Sequence, residues 1–153
     1  MALSEGDAIP DVTVALPHGG TRRLSAQGRA LVVYFYPKDD TSGCTNEARD
    51  FSAAMADFGA AGVDVLGISK DSPERHVKFA AKHELSVPLA TDADDSVCEA
   101  FGVWVEKSMY GKKYMGIERA TFLFGADGRL VRAWRKVKVP GHVAQVLEAA
   151  RAL

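Results

Sequence analysis

Two strongly apolar segments separated by one amphipathic segment constrain the fold of this chain most. Ala30–Tyr36 (ALVVYFY) and Val63–Ser69 (VDVLGIS) are rich in β-branched and aromatic residues, which predicts strands buried on both faces of a sheet. Between them, a helix is predicted from Cys44 to about Ala60. It carries three large apolar side chains at helical spacing: Phe51, Met55 and Phe58. A strand–helix–strand unit of this kind predicts two parallel neighbouring strands.

The other elements are predicted from turn signals and apolar periodicity. They are an N-terminal hairpin of Asp11–Leu16 and Thr21–Leu24, a helix from Pro73 to about His83, a strand Val87–Ala90, a short helix Asp94–Phe101, a hairpin of Arg119–Phe124 and Leu130–Lys136, and a final helix Pro140–Ala152. This order resembles that of an α/β thioredoxin-like fold, with a central mixed β-sheet flanked by helices. A fold of this class does not by itself assign a function.

Length and charge exclude several classes of protein. The 153 residues predict a single domain over 1–153, and a net charge of −1 gives no bulk attraction to nucleic acid or to an anionic membrane. No apolar run reaches the roughly 18–20 residues that span a bilayer. The first residues, MALSEGDAIPD, lack the features of a signal peptide. We therefore expect a cytoplasmic protein that binds neither nucleic acid nor membrane.

The cysteine content limits the redox and metal chemistry. The two cysteines, Cys44 and Cys98, are too few for a disulfide scaffold and form no Cys-x-x-Cys pair. None of the four histidines has metal-ligand spacing with them. We expect no metal and no other cofactor. In the cytoplasm, where thiols stay reduced, each cysteine is expected either to fill space in the core or to take part in the chemistry.

Cys44 lies where a predicted helix follows a buried strand and a polar loop. Backbone amides in the first turn of a helix have no intrahelical partner, and the helix dipole is positive there, which favours a thiolate. Thr41 precedes Cys44 by three residues and can place its hydroxyl in the same pocket, and Pro37, which has no N–H, could shield that pocket from water. The alternative is a small buried apolar cysteine, but the neighbours are polar: Thr41, Ser42, Thr45 and Asn46.

The pattern Pro37-x-x-x-Thr41-x-x-Cys44 matches the active-site motif of the peroxiredoxins. The longer segment YFYPKDDTSGCTNEARDF resembles the bacterioferritin-comigratory (PrxQ) subfamily. Further stretches resemble the same subfamily in order along nearly the whole chain: Glu5–Asp11, Gly67–Ser72, Phe101–Trp104, Tyr110–Lys112 and Gly116–Leu123. Several ordered matches are more specific than the short motif alone.

The resemblance implies a thiol-dependent peroxidase that reduces hydrogen peroxide and organic hydroperoxides. Cys44 would be the peroxidatic cysteine and would pass through a sulfenic acid. Thr41 would hydrogen-bond the thiolate and the peroxide, and Arg119 would be the pocket arginine that stabilises both the thiolate and the transition state. Glu47 would orient Arg119, and the amides of Gly43 and Cys44 would add donors. The alternatives are a surface arginine and a glutamate that favours the first turn of a helix.

The chain departs from the subfamily at the resolving cysteine. Many members carry it five residues after the first cysteine, where this chain has Arg49, and others carry it near the position of Ala80. The remaining thiol, Cys98, either packs beneath a short helix beside Phe101 or acts as an unusual resolving cysteine, for which the two Cα atoms must approach within about 7 Å. We therefore expect a 1-Cys mechanism in which an external thiol such as glutathione or thioredoxin reduces Cys44, with a 2-Cys mechanism through Cys98 as the alternative.

Two other functions fit the same fold. A thiol–disulfide oxidoreductase is disfavoured because there is no Cys-x-x-Cys pair. A non-catalytic binding module or holdase is disfavoured because Cys44, Thr41 and Arg119 are all present. We expect a monomer, as is common for PrxQ-like proteins.

Overall fold

The computed structural model describes residues 3–25 and 28–153. Met1 and Ala2, at the start of the segment in which no signal peptide is expected, lie outside the described residues, as do Ala26 and Gln27. None of the helices in the described ranges is long and apolar enough to cross a membrane.

The described residues form strands and helices in an alternating order. The elements are β1 (Thr13–Ala15), β2 (Thr21–Arg23), β3 (Ala30–Phe35), α1 (Ser42–Ala60), β4 (Val63–Ser69), α2 (Pro73–His83), β5 (Leu89–Thr91), α3 (Ser96–Ala100), β6 (Trp104–Met109), β7 (Lys112–Ile117), β8 (Ala120–Phe124), β9 (Leu130–Trp134) and α4 (His142–Arg151).

The main sheet is mixed, and its strand order is β2-β1-β5-β4-β3-β8-β9. Strands β3, β4 and β5 run parallel, while β8 pairs antiparallel with β3 and β9 pairs antiparallel with β8. The helix crossovers produce the parallel part, and the tight Asp127-Gly128 turn produces the antiparallel hairpin. The predicted thioredoxin-like fold with a central mixed sheet is confirmed.

Two hydrophobic cores lie on opposite faces of this sheet. Successive residues of a strand point to opposite faces. Accordingly Val33 and Phe35 belong to one core, and Val32 and Tyr34 belong to the other. Residues of α1, α2 and α4 pack into the second core, which we call the α1-side core, and residues of α3 pack into the first, which we call the α3-side core. The sheet therefore separates whatever is buried in one core from the other.

Some element ends differ from the predicted ones for local reasons. Helix α1 begins at Ser42 rather than Cys44, because Thr41 has the extended conformation of a helix N-cap. Strand β5 begins at Leu89 rather than Val87, because Pro88 has no N–H for the ladder and the Val87 amide donates to the Ser52 hydroxyl. Smaller shifts of one or two residues occur at β1, β2, β3, α3, β8, β9 and α4.

One element that the sequence analysis did not predict is the hairpin of β6 and β7. Its two-residue turn, Tyr110-Gly111, has positive φ values of 52° and 78°, as a type I′ turn requires. Most of the hairpin is exposed, so it lacks the apolar alternation that marks a half-buried strand. Strand β7 ends at Ile117, two residues before Arg119, so the end of the hairpin helps to set the position of that arginine.

Candidate active site

Cys44 occupies the first turn of α1 at the end of the sheet where β3 leads into the helix. The first bond of the helix runs from the Thr45 amide to the Thr41 carbonyl, at 2.8 Å. The amides of the three preceding residues, Ser42, Gly43 and Cys44, are the ones that a helix leaves without an intrahelical acceptor. The thiol itself is almost completely enclosed, with Cys44 only 2% exposed in the α1-side core.

Arg119 joins the thiol to a buried carboxylate. One guanidinium nitrogen, Nη2, donates to Cys44 Sγ at 3.3 Å, and the other, Nη1, donates to Glu47 Oε1 at 2.7 Å. A Cβ atom at Gly43 would lie 3.2 Å from Arg119 Nη2, so a residue without a side chain at this position allows the guanidinium its close approach. The planar fork of arginine suits this two-sided contact, which a lysine could not reproduce.

Glu47 is the most unusual ionisable group of this cluster. Its side chain is fully buried, and burial raises the pKa of Glu47 to about 7, although Arg119 opposes the shift. Its second oxygen, Oε2, has no hydrogen-bond partner among the described residues. The structure thus brings Arg119 to Cys44 and Glu47, which precede it by 75 and 72 residues in the sequence.

Thr41 and Pro37 lie in the loop that precedes α1, and both are exposed. The Thr41 hydroxyl donates to the Lys38 carbonyl at 3.0 Å instead of capping the helix. Because its proton is engaged there, its lone pairs remain available to accept a hydrogen bond from an incoming group. A hydrogen bond from Thr41 to the thiol is not part of this arrangement, and the shielding role of Pro37 stays a prediction.

Cys98 lies in the α3-side core and is fully buried. Burial raises the pKa of the Cys98 thiol far above its ordinary value, and the neighbouring carboxylate of Asp92 adds to the shift. The same carboxylate accepts the Cys98 amide at 2.9 Å and the Val97 amide at 3.3 Å. The surroundings of Cys98 therefore favour a neutral, packed thiol.

The two positions at which relatives carry a resolving cysteine contain other side chains with their own contacts. Arg49 is exposed on α1, and its guanidinium donates to His83 Nδ1 at 3.1 Å. Ala80 is half-buried on α2 and lines an apolar groove of about 620 Å³ beside the N-terminal hairpin. Neither position supplies a thiol.

A buried polar cluster beside the loop was missed by the sequence analysis. Asp39 accepts a hydrogen bond from the Tyr36 hydroxyl at 2.6 Å, and its other oxygen lies 2.7 Å from His76 Nδ1. Tyr36 directly follows β3, Asp39 lies in the loop after it, and His76 lies on α2. His76 is separated from Asp39 by most of two elements, so no short motif could have revealed the pair; the only local signal was a charged residue next to the candidate loop.

Comparison with known proteins shows which family this chain belongs to. The model of the AhpC/TSA family matches residues 6–133, and the chain belongs to this family. It is 48% identical to peroxiredoxin Bcp of Xanthomonas campestris, over 94% of this chain and 93% of that protein. It is 46% identical to peroxiredoxin Bcp of Bacillus subtilis, over 97% of this chain and 95% of that protein.

Solved structures give the same result. Peroxiredoxin Q of Xanthomonas campestris superposes with a TM-score of 0.89 at 47% identity, covering 98% of this chain and 96% of that one. A serine variant of Xylella fastidiosa PrxQ superposes with a TM-score of 0.93 at 39% identity, covering 99% and 98%. Within the family, the chain is thus a peroxiredoxin of the Bcp/PrxQ type, a thiol-dependent peroxidase, as its sequence motifs predicted.

Proposed function

We propose that the protein reduces hydrogen peroxide and organic hydroperoxides through a Cys44 sulfenic acid, which an external thiol then reduces in a 1-Cys cycle. The observation that carries the proposal is the thiol of Cys44, held in an uncapped helix turn within 3.3 Å of Arg119. The bacterioferritin comigratory protein of Xanthomonas campestris, which is 46% identical, is described as having alkyl peroxide reduction activity. That similarity supports organic hydroperoxides as one substrate class.

In the first half-reaction the Cys44 thiolate attacks one oxygen of the peroxide along the O–O axis. The S–O bond forms as the O–O bond breaks, and the bonding electron pair leaves on the second oxygen, which takes a proton to become water or an alcohol. Arg119 and the amides of Gly43 and Cys44 stabilise the negative charge that moves from sulfur to oxygen. Thr41 accepts a hydrogen bond from the peroxide, and Glu47 holds Arg119 in place.

The second half-reaction uses a thiol from outside the chain. The sulfenic acid reacts with a thiol to give a mixed disulfide and water, and a second thiol releases Cys44 as a thiol and leaves as a disulfide. Three placements support this route over an internal disulfide. Cys98 packs in the core on the other face of the sheet from Cys44, and the two usual resolving positions are Arg49 and Ala80.

The choice of reductant and the assembly state belong to the same proposal. Glutathione and thioredoxin are thiols of the required chemistry, and a reducing cytoplasm would keep both free cysteines of this chain reduced. We propose that the protein acts there as a single-domain monomer.

Single-turnover peroxide consumption by the prereduced protein tests the peroxidase reaction. One equivalent of hydrogen peroxide should be consumed rapidly by the parent and by Cys98→Ser, and slowly by Cys44→Ser, with a rate constant at least about 10³-fold lower. Equal rates for the parent and Cys44→Ser would contradict the proposal. Steady-state turnover with glutathione and with thioredoxin then compares the two reductants.

A further inference from the structure

The loop that leads into the Cys44 helix is bound to α2 by buried charged groups. We define this active-site loop as residues 37–41, between β3 and α1. Asp39 is buried within it, although an aspartate in a loop is normally exposed. Its backbone amide donates to Asp71 Oδ2 at 2.7 Å, and its carboxylate contacts Tyr36 and His76. The loop is therefore fixed at its centre.

The contacts of His76 define the protons of this cluster. Its Nε2 lies 3.0 Å from the carbonyl oxygen of Ala90, which can only accept, so Nε2 carries a proton. Its Nδ1 lies 2.7 Å from Asp39 Oδ2, so a second proton is shared between the imidazole and the carboxylate. The pair is either an imidazolium–carboxylate ion pair or a neutral imidazole hydrogen-bonded to a carboxylic acid, and both side chains are buried. A bond of this kind is strong because solvent does not compete for it.

A second set of contacts reinforces the same attachment near the surface. Asp40 adopts a positive φ of 63°, a conformation that is uncommon for non-glycine residues, although aspartate adopts it more often than most. Its carboxylate contacts Lys82 at 2.7 Å and His83 at 2.8 Å. Neighbouring loop residues are thus each held by α2, and α1 follows directly from the loop.

This attachment bears on the second half-reaction. Cys44 is 2% exposed, so the sulfur of a thiol reductant cannot reach a sulfenic acid there unless the loop or the first turn of α1 moves. A movement of the loop must first break the contacts of Asp39 with α2. Local openings of this kind have their own free energy, which is set by the contacts that break.

We propose that Asp39 and His76 are positioning residues that form a latch between the active-site loop and α2, and that the latch limits access of a thiol reductant to oxidised Cys44. Only the kinetic part of this proposal, the faster attack of an external thiol, depends on the 1-Cys cycle proposed above. Breaking the latch accelerates attack of the external thiol on the sulfenic acid, which forms the S–S bond and releases water. It does not accelerate the attack of Cys44 on peroxide, which needs the ordered helix turn.

Hydrogen exchange followed by mass spectrometry tests the latch without any redox chemistry. In reduced Asp39→Asn, which preserves shape but removes the charge, amides of residues 38–47 should exchange about tenfold faster than in the parent, as for the loss of one charge-assisted bond. Asp39→Ala should give a larger effect. Amides of α4 should be unchanged. Asp64→Asn, which removes an aspartate paired with Arg29 at 3.3 Å elsewhere in the fold, is the matched control.

Kinetics separates a latch from general destabilisation. The rate of mixed-disulfide formation between glutathione and Cys44 sulfenic acid should rise about five- to tenfold in Asp39→Asn, while the rate with peroxide does not rise. The core variant Leu130→Ala is the control, because Leu130 is buried and far from the loop in sequence. It should leave the ratio of the glutathione rate to the peroxide rate unchanged. Unchanged exchange at residues 38–47, or faster exchange throughout the molecule, would overturn the latch. An internal disulfide would overturn only the 1-Cys cycle, because the exchange result stands independently.

Discussion

The two cysteines occupy the same position in their helices but have opposite surroundings. Cys44 is the third residue of α1 and Cys98 is the third residue of α3, and both are buried. The amides at the start of α3 are capped by the Asp92 carboxylate, whereas the first turn of α1 has no side-chain cap and Arg119 approaches its thiol. A helix start therefore does not make a cysteine reactive. Its reactivity depends on the charge of its nearest polar partner and on whether the amides of the first helix turn are free to donate.

Alkylation should reveal this difference with the largest effect. In the reduced protein, iodoacetamide should modify Cys44 at least about 10³-fold faster than Cys98. Both thiols are buried, but Arg119 donates to the Cys44 sulfur, whereas burial and Asp92 raise the pKa of the Cys98 thiol, and the thiolate is the form that reacts. Peptide mass spectrometry over a time course measures both rates in one sample. Addition of 6 M guanidinium chloride, about the concentration that unfolds most domains, should bring the two rates together. Similar alkylation rates for Cys44 and Cys98 in the folded protein would contradict the proposed difference between their surroundings.

Replacement of the arginine beside Cys44 should have the next largest effect. Arg119→Lys retains the charge but cannot donate to Cys44 and Glu47 at once, so the rate constant with peroxide should fall about 10²-fold. Arg135→Lys is the matched control, because Arg135 also forms a pair with a glutamate, Glu118, at 2.8 Å. Stopped-flow measurement should find this control within about twofold of the parent. A control that loses as much activity as Arg119→Lys would indicate a structural rather than a catalytic loss.

The buried Glu47 should make the activity of the Cys44 site depend on pH. Its carboxyl group has a pKa of about 7, so it is ionised at pH 8 and protonated at pH 6. Glu47→Gln should lower the rate constant with peroxide about tenfold at pH 8, where the charged bond to Arg119 is lost, and about twofold or less at pH 6. Glu118→Gln provides the control. A rate ratio that does not change between these pH values would contradict the role of the ionised carboxylate.

The same group should couple stability to pH. Burial raises the pKa of Glu47 from 4.5 to about 7, so the fold favours the protonated carboxyl group. This stabilisation is complete below pH 4.5 and is lost as pH rises through 7. Relative to Glu47→Gln, the free energy of unfolding of the parent should therefore fall by up to about 3 kcal/mol between pH 4.5 and pH 8. Urea unfolding of both proteins at the two pH values measures the difference, and the opposite sign would contradict it.

Removal of the second thiol should have the smallest effect on activity. Cys98→Ala should leave the peroxide rate constant and turnover with glutathione within about twofold of the parent. It should lower the free energy of unfolding by about 1–2 kcal/mol, because Cys98 fills space in the α3-side core. Urea unfolding and steady-state assays measure the two quantities. Loss of turnover with a normal peroxide step would assign Cys98 to regeneration.

Much of this arrangement could be predicted from the sequence, and the physical reasons are local. The apolar run Ala30–Tyr36 and the periodicity of α1 determine the central strand and its helix, and the PrxQ motif names Cys44 and its partners. The hairpin of β6 and β7 was not predicted, because its exposed surface carries no apolar alternation. A signal was present in the Tyr110-Gly111 turn, where two positive φ values close the hairpin.

The part of the site that the sequence did not reveal consists of long-range contacts. The pair of Asp39 and His76, and the enclosure of Glu47, follow from the packing of α2 and α1 on one face of the sheet. The separation of the two cysteines likewise depends on which face α3 covers, and a helix of five residues carries little periodicity to predict it. The sequence shows that these residues are present, but it does not show which of them come into contact in the fold.

Intact-mass analysis after one equivalent of peroxide tests the central claim that Cys44 reacts without Cys98. The reduced protein should gain one oxygen and, on addition of glutathione, convert to a mixed disulfide at Cys44, while Cys98 remains free for alkylation after unfolding. Cys98→Ala should behave in the same way. A loss of two hydrogens without glutathione, accompanied by a peptide linking Cys44 and Cys98, would contradict the account and establish a 2-Cys mechanism.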